Sequence, residues 1–149
     1  MEERPTYRRP TSIERVFNRL FGWLAAHGIG LAHNYALETR GRRSGHVRRT
    51  PVNLLEVDGH HYLVAPRGET HWVRNLRAQP QLVLVHGRRR HTLLARELAE
   101  AEKPALLRIY LQRFAPTVQR YFAVTPDAPT AAFAAVGPAY PVFELTPCG

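Results

Sequence analysis

Apolar residues recur along this chain with two periods, one of about 3.6 residues and one of two residues. The helical period comes first, directly after the capping residues Thr11 and Ser12. Its apolar positions are Ile13, Val16, Phe17, Leu20, Phe21 and Leu24. A first helix is therefore predicted from residue 11 to the neighbourhood of His27-Gly28. Residues 1–10 are polar, carry two prolines and are predicted to form a flexible basic arm.

Six segments with strand character follow. They span residues 34–39, 47–57, 60–65, 81–86, 91–98 and 140–145. Asp58-Gly59 separates the second segment from the third and is a strong signal for a tight hairpin. A turn is predicted at residues 87–90, between the fourth and fifth segments. Further helices are predicted at residues 69–78 and 103–114, and a broken helical region continues to residue 136.

The order of these elements indicates the fold class. A strand–helix–strand alternation with a G-x-G-x-x-G turn is absent from the sequence, which argues against a doubly wound nucleotide-binding fold. Strands joined by hairpin-type turns favour an α+β fold, a small and mostly antiparallel barrel of about six strands with flanking helices. The length of 149 residues fits one domain with its own core, so residues 11–149 are predicted to form a single domain.

The charge changes this picture more than the composition does. The chain carries 21 Lys and Arg against 12 Asp and Glu, a net charge of +9, and Lys103 is its only lysine. Arginine suits planar, bidentate recognition of phosphate or carboxylate. The single cysteine, Cys148, excludes an internal disulfide and a thiolate metal cage, and a reducing cytoplasm is the expected compartment. The apolar stretch at residues 20–32 is too short and too interrupted to span a bilayer.

Two other kinds of site are poorly supported. His60 and His61 are adjacent on a predicted strand, so their side chains point to opposite faces and cannot grip one ion. The sequence has no H-E-x-x-H and no G-x-S-x-G motif, so neither a metal site nor a hydrolytic triad is expected. Ser44 lies among arginines, a setting that suits anion binding better than acyl transfer.

The strongest candidate site is a basic loop at residues 40–49, which contains five arginines. Gly41 and Gly45 allow a tight turn whose backbone N–H groups can form an anion-binding nest. Strand alternation places Arg48 and Arg49 on opposite faces, so only one of them is expected to face a ligand. The arginines expected to supply charge-assisted hydrogen bonds are Arg42, Arg43 and Arg48. The alternative interpretation is a solvated basic hairpin.

A second candidate site lies at residues 64–76. A predicted strand ends at Ala65, a Pro66-Arg67-Gly68 turn follows, and a helix then begins. The free N–H groups at the start of that helix favour an anion, and Arg67 would reinforce it. The pattern leaves open whether Trp72 belongs to the core or to the site.

Together the segments GRRSGHVRRTP and APRGETHWVRNL resemble the deazaflavin-dependent nitroreductase family, over residues 13–147. Members of that family are split β-barrels that bind the deazaflavin coenzyme F-420. The matching positions are Thr39, Gly41, Arg42, Arg43, Ser44, Gly45, Arg48, Thr50, Pro51, Gly68, Trp72, Asn75 and Leu76. The resemblance implies a split-barrel oxidoreductase that transfers hydride from reduced F-420 to a quinone, a nitroaromatic or an activated alkene.

The resemblance also implies roles for particular residues. Arg42, Arg43 and Arg48, with Ser44 beside them, would hold the cofactor's phosphate and acidic tail. The turn at residues 65–68 would lie against the deazaflavin ring. That turn comprises Ala65, Pro66, Arg67 and Gly68, and Pro51 and Val52 would lie near it. Trp72 and Asn75 are the other cofactor-binding residues implied. Tyr121 is the first candidate to protonate the product, with a water molecule as the alternative.

Four further points concern the cofactor and the partners of the chain. Related split barrels carry flavin mononucleotide (FMN) or haem, and either is an alternative cofactor. A pI near 10.8 also permits a basic nucleic-acid-binding domain, but no helix-turn-helix or RNA-binding aromatic motif supports one, so no nucleic acid is expected. A homodimer is expected, and the first helix, with Arg15 and Arg19 on its polar face, is a candidate for peripheral contact with the inner face of an anionic membrane.

Overall fold

The computed structural model describes residues 35–148. The predictions of a basic arm, a first helix with a candidate membrane contact, and a domain boundary at residue 10 concern residues outside the described range. Seven strands form one antiparallel sheet in the order β2-β1-β5-β6-β7-β4-β3. They are β1 Tyr35–Arg40, β2 Val47–Val52, β3 Leu54–Val57, β4 His60–Val64, β5 Gln81–His86, β6 Arg89–Glu97 and β7 Val142–Pro147. The α-helices are α1 His71–Ala78, α2 Pro104–Val118 and α3 Thr130–Val136.

The expected α+β, mostly antiparallel architecture is confirmed, but the strand count is seven rather than six. The segment predicted as one strand at residues 47–57 is two strands, which part at Asn53. β2 pairs with β1 at one edge of the sheet, and β3 pairs with β4 at the other edge. β2 continues past Pro51 to Val52, and the pairing changes at Asn53, whose side chain points towards α2 and donates to the Tyr110 hydroxyl. Because consecutive strands occupy opposite edges, the sheet curls into a half-barrel.

Two hydrophobic cores lie on either side of this curled sheet. The inner core joins the inward side chains of the strands, among them Leu37, Leu63 and Leu84, to Trp72 and Leu76 of α1. The outer core packs α2 and α3 against the convex face of β3, β4 and β7. Successive side chains along a strand therefore point alternately into the inner and the outer core, and α1 fills the half-barrel.

Local turn chemistry follows the sequence at some points and departs from it at others. Asp58 and Gly59 both have positive φ, 53° and 82°, as a tight type I′ hairpin requires. The turn predicted at residues 87–90 is shorter, because Arg89 and Arg90 already pair with β5. Helix α2 continues beyond the predicted end at residue 114 through non-helical dihedrals at Phe114, φ −117° and ψ 17°, two residues before Pro116. The last strand runs from residue 142 to 147 rather than from 140 to 145.

Candidate functional site

A pocket of about 510 Å³ opens where the β2–β3 break, the end of β4, the start of α1 and the C-terminal end of α2 meet. Its walls are mainly apolar, and none of the described residues that line it is acidic. The residues from the predicted site that line it are Pro51, Val52, Ala65, Pro66, Arg67, Trp72 and Tyr121. The structure thus brings six predicted cofactor-binding residues and the candidate proton donor to one cavity, whereas Gly68, Asn75 and the predicted residues of the basic loop do not line it.

The turn after β4 shapes one wall of this pocket. Ala65 N–H donates to the Pro141 carbonyl at 2.9 Å, and Gly68 N–H donates back to the Ala65 carbonyl at 3.2 Å. Gly68 has φ +87°, a conformation that a side chain would strain. The turn leaves Arg67 exposed at the rim and starts α1 three residues later, after Thr70.

Trp72 serves both interpretations that the sequence left open. Its side chain is 8% exposed and packs against Phe143 of β7, with ring centroids 5.9 Å apart. It also lines the pocket. One aromatic ring therefore separates the barrel core from the cavity, so a ligand in the cavity would meet a rigid, buried wall.

The basic loop at residues 41–46 connects β1 to β2 and is closed by its own hydrogen bonds. Gly41 N–H donates to the His46 carbonyl at 2.7 Å, and Gly45 N–H donates to the Gly41 carbonyl at 2.9 Å. The Ser44 hydroxyl oxygen accepts from His46 N–H at 3.1 Å. A Cβ at Gly41 would lie 2.8 Å from that hydroxyl oxygen and 3.2 Å from the His46 carbonyl oxygen, so a side chain there would force the loop to shift. Within the structure Ser44 shapes the loop, and its neighbours Arg42 and Arg43 are exposed.

Asn75 fastens this loop to the helix that borders the pocket. Its side chain is 1% exposed, and its Oδ1 accepts hydrogen bonds from the backbone N–H of Arg42 at 3.2 Å and from Arg42 Nη1 at 3.0 Å. Its Nδ2 donates to Thr39 Oγ1 at 3.1 Å. The loop and the pocket are therefore held at a fixed separation through one buried amide.

Arg48 and Arg49 lie on opposite faces of β2, as alternation predicts. Arg49 pairs with Glu38 on the convex face, with Nη2 and Oε2 3.0 Å apart. The hydrogen bond from Arg90 to the same carboxylate lowers the pKa of Glu38, with added help from the charges of Arg90 and Arg49. Arg48 is instead opposite Thr39, and so shares a face with Val52 of the pocket wall.

Nine residues that line the pocket were not part of the predicted site, and Asn53, Thr70, Tyr110 and Arg120 are among them. Asn53 Nδ2 donates to the Tyr110 hydroxyl at 3.3 Å, and burial raises the pKa of Tyr110 to about 12. A polar asparagine within an apolar strand pattern was a usable signal for Asn53. Arg120 lies in the broken helical region after α2, where the sequence carried no signal for a site.

Arg120 and Arg67 surround the Tyr121 ring at the mouth of the pocket. Arg120 Nη2 donates to the Tyr121 hydroxyl at 2.9 Å, and its guanidinium carbon lies 4.9 Å from the ring centroid. The guanidinium carbon of Arg67 lies 5.8 Å from the same centroid. The mouth of the pocket therefore combines a phenolic hydroxyl with two positive charges.

The described part of the chain contains no group of three or more His, Cys, Asp or Glu side chains placed to hold a metal ion. Between residues 35 and 148, no helix is both long enough and apolar enough to cross a membrane.

Several solved structures share the fold. A protein of unknown function from Agrobacterium tumefaciens superposes with a TM-score of 0.60 at 21% identity, covering 94% of this chain and 55% of that one. This chain thus spans about half the length of that protein. An F420-H2 dependent reductase, FDR-A, superposes with a TM-score of 0.51 at 22% identity over 75% of this chain and 92% of its own. A chain described as a domain-swapped dimer gives 0.53 at 23% identity, over 90% of this chain and 96% of its own.

The sequence comparison is more specific than these structural likenesses. No curated protein sequence matches the chain. The family model of F420H(2)-dependent quinone reductases matches residues 17–128, which include the basic loop, the turn after β4 and Tyr121. The expected deazaflavin-dependent reductase class and its cofactor, coenzyme F420, are thereby confirmed at the level of the family. The chain belongs to the F420H(2)-dependent quinone reductase family.

Proposed function

We propose that this chain uses reduced coenzyme F-420 to reduce a small organic acceptor, and that a quinone is the preferred acceptor over a nitroaromatic or an activated alkene. The observation that carries the proposal is the hydrogen-bonded link from Arg42 through Asn75 to α1. A cofactor with an apolar ring and an anionic tail needs an apolar pocket and a cationic loop at a fixed separation, and this link supplies that separation.

The residues present fit the cofactor. The pocket volume lies within the range of about 300–1,000 Å³ typical of ligand sites, and its walls are mainly apolar. Two buried polar atoms of pocket-lining residues, Asn53 Oδ1 and Thr70 Oγ1, have no hydrogen-bond partner within the described part of the chain. An aromatic heterocycle with polar groups along one edge suits such a cavity.

Each part of the site has an assigned task in this proposal. Pro51, Val52, Ala65, Pro66 and Trp72 form the apolar surfaces for the ring. The arginines Arg42, Arg43 and Arg48 bind the phosphate and carboxylates of the tail. Arg67 and Gly68 form the turn between the two regions. Asn75 positions Arg42 and does not itself contact the cofactor, because its side chain is buried and already hydrogen-bonded.

The reduced coenzyme supplies a hydride when it is bound, and the protein supplies orientation, dryness and charge. Apolar walls exclude water from the hydride path. The Tyr121 hydroxyl accepts a hydrogen bond from Arg120, which leaves its own proton available for an acceptor oxygen. Arg67 and Arg120 place positive charge where negative charge develops on a quinone oxygen, the type of stabilisation that lowers a reaction barrier.

The test is an anaerobic assay of the full chain with reduced F-420 and, separately, menadione, a nitroimidazole and a cyclic enone. We expect reoxidation of the deazaflavin to be fastest with menadione. Arg49→Ala is the matched control for Arg48→Ala, and only the latter should raise the cofactor concentration needed for half-maximal rate. Reoxidation no faster than without protein for all three acceptors would contradict the proposal.

A homodimer is also proposed. Val47 and Leu94 are 58% and 43% exposed, and alternation places both on the convex face of the sheet. A structural relative is described as a domain-swapped dimer. Sedimentation of the full chain should give the mass of two chains, and Leu94→Arg should give that of one. A single-chain mass for the unmodified protein would reject this proposal.

A further inference from the structure

The side chain of Asn53 is a polar group within the wall of the pocket. Asn53 occupies the break between β2 and β3 and is 9% exposed. Its Nδ2 donates to the hydroxyl of Tyr110 on α2, at 3.3 Å. Its Oδ1 is shielded from water and has no hydrogen-bond partner within residues 35–148. One half of this amide is therefore satisfied and the other half is not.

The break between the strands does not by itself explain this arrangement. A buried carbonyl oxygen that has lost its water contacts without gaining a donor is destabilising, so an asparagine with no other role is a poor choice for the position. Tyr110 is 1% exposed and places its hydroxyl against the amide, within an otherwise apolar layer of α2. Both residues line the pocket. A molecule bound in the pocket would therefore lie beside this amide.

Thr70 repeats the pattern on another wall. It occupies the N-cap position of α1, yet its side chain makes no capping hydrogen bond. Its Oγ1 is buried and has no partner within the described part of the chain, and the residue lines the same pocket. Asn53 therefore offers an acceptor, and Thr70 a hydroxyl that both donates and accepts.

We infer that Asn53 is a cofactor-orienting residue whose Oδ1 accepts a hydrogen bond from the imide N–H of the bound ring. This inference rests on the proposed function. Deazaflavins and flavins both carry an imide edge, an N–H between two carbonyl groups, so the matching ligand class is a planar heterocycle with such an edge. Tyr110 is a positioning residue, because its hydroxyl holds Nδ2 and so directs Oδ1. The Thr70 hydroxyl donates to a carbonyl that flanks the imide nitrogen.

The experiment measures affinity rather than turnover. Full-length protein is titrated with F-420 and with F-420 methylated on the imide nitrogen, and the ratio of the two dissociation constants is recorded. The ratio is measured for the unmodified protein, Asn53→Ala, Tyr110→Phe and a control, Thr117→Ala. Thr117 also lines the pocket, but its hydroxyl donates to the Phe114 carbonyl within its own helix. Thermal unfolding of each variant shows whether it is folded.

The unmodified protein and Thr117→Ala should bind the natural ring at least about tenfold tighter than the methylated ring, a difference of about 1.4 kcal/mol. Asn53→Ala should bring the ratio close to one by weakening only the natural ring. Tyr110→Phe should bring the ratio part of the way towards one, because the Tyr110 hydroxyl no longer holds the Asn53 amide in place. These outcomes would support the inference.

Equal weakening of both rings by Asn53→Ala would overturn the inference and leave Asn53 a structural residue. Should Asn53→Ala not fold, an unchanged ratio in folded Tyr110→Phe would overturn it. A failure of the proposed function is distinguishable from a failure of the inference, because FMN would then bind more tightly than F-420. The Asn53 ratio is then measured with FMN and imide-methylated FMN, whose ring carries the same edge, and the same outcomes apply.

Discussion

The side-chain amide of Asn75 accepts hydrogen bonds from both the backbone and the guanidinium of Arg42, across 33 residues of sequence. Its other end donates to Thr39 on β1. The basic loop is thus tied to the barrel and to α1 by one buried group. The segment WVRNL, residues 72–76, has a physical basis for its spacing: Trp72 forms a wall of the pocket, and Asn75, one turn later, positions the loop.

Replacing Asn75 with alanine should weaken both the fold and the cofactor site. It leaves Thr39 and the Arg42 backbone without buried partners, which costs about 1–3 kcal/mol of unfolding free energy. F-420 affinity should also fall, because Arg42 loses its fixed position. Denaturant unfolding and fluorescence titration measure the two effects, with Gln79→Ala at the exposed end of the same helix as the control. Wild-type affinity in folded Asn75→Ala would show that the loop needs no such attachment.

The two adjacent arginines of β2 should differ in their effect on cofactor binding. Arg48→Ala should weaken F-420 binding by about 1.5–3 kcal/mol, because a charge-assisted hydrogen bond is lost. Arg49→Ala should change it little, since that side chain pairs with Glu38 on the convex face. Isothermal titration of both variants measures the difference. Equal losses would place the tail of the cofactor somewhere other than the inner face of β2.

Much of the architecture could be predicted from local sequence patterns, because the patterns and the contacts coincide there. Asp58-Gly59 specified its hairpin through two positive φ angles, and the fifth strand, residues 81–86, has the predicted bounds. The break at Asn53 could not be predicted, since period-two alternation continues across it while the pairing partner changes. The period of the hydrophobic positions indicates which face of a strand is buried, but it does not indicate which other strand pairs with it.

The candidate site likewise has one part that could be predicted from the sequence and one part that could not. The basic loop was visible in the sequence because its arginines and turn-forming glycines are neighbours along the chain. Arg120 and Thr70 reach the pocket only through the path of the chain after α2 and before α1, which no local pattern encodes. The role of Asn75 was also hidden, because its partner Arg42 lies on a different element.

A buried pair on β3 and β4 should show itself in the pH dependence of stability. Glu56 and His61 face each other across β3 and β4 and are 3% and 1% exposed. Burial raises the pKa of Glu56 to about 7 and lowers the pKa of His61 to about 3. Between pH 5 and 6.5 the folded state therefore keeps a proton on Glu56 that the unfolded state releases, so Glu56 makes stability fall as pH rises. His61 does the opposite, because only the unfolded state protonates it.

Glu56→Gln should remove the fall in stability with rising pH that Glu56 causes, and it should leave the rise in stability that His61 causes. The gain in unfolding free energy from pH 5 to pH 6.5 should then be about 1.5 kcal/mol larger in the variant than in the unmodified protein. Urea unfolding at both pH values measures this difference. The same gain in both proteins would show that Glu56 carries no proton in the folded state at these pH values.

Tyr121→Phe should slow turnover without weakening the cofactor. The change removes a hydroxyl that is hydrogen-bonded to Arg120 and keeps the ring that lies between two guanidiniums. We expect kcat with menadione to fall by about tenfold, less than the roughly 10²–10⁴-fold typical of general-acid catalysis, because water can substitute for the hydroxyl. F-420 affinity should stay constant. Tyr62→Phe on the convex face of β4 is the control, and an unchanged kcat in Tyr121→Phe would assign the proton to water.

The central claim is that the pocket and the basic loop together bind a deazaflavin with an acidic tail. Its most direct test is a side-by-side titration of the full chain with F-420, FMN and haem. F-420 should bind at least about tenfold tighter than FMN, a difference of about 1.4 kcal/mol, because its phosphate and carboxylates engage arginines that a single flavin phosphate leaves unused. Affinity for FMN or haem equal to or greater than that for F-420 would contradict this account.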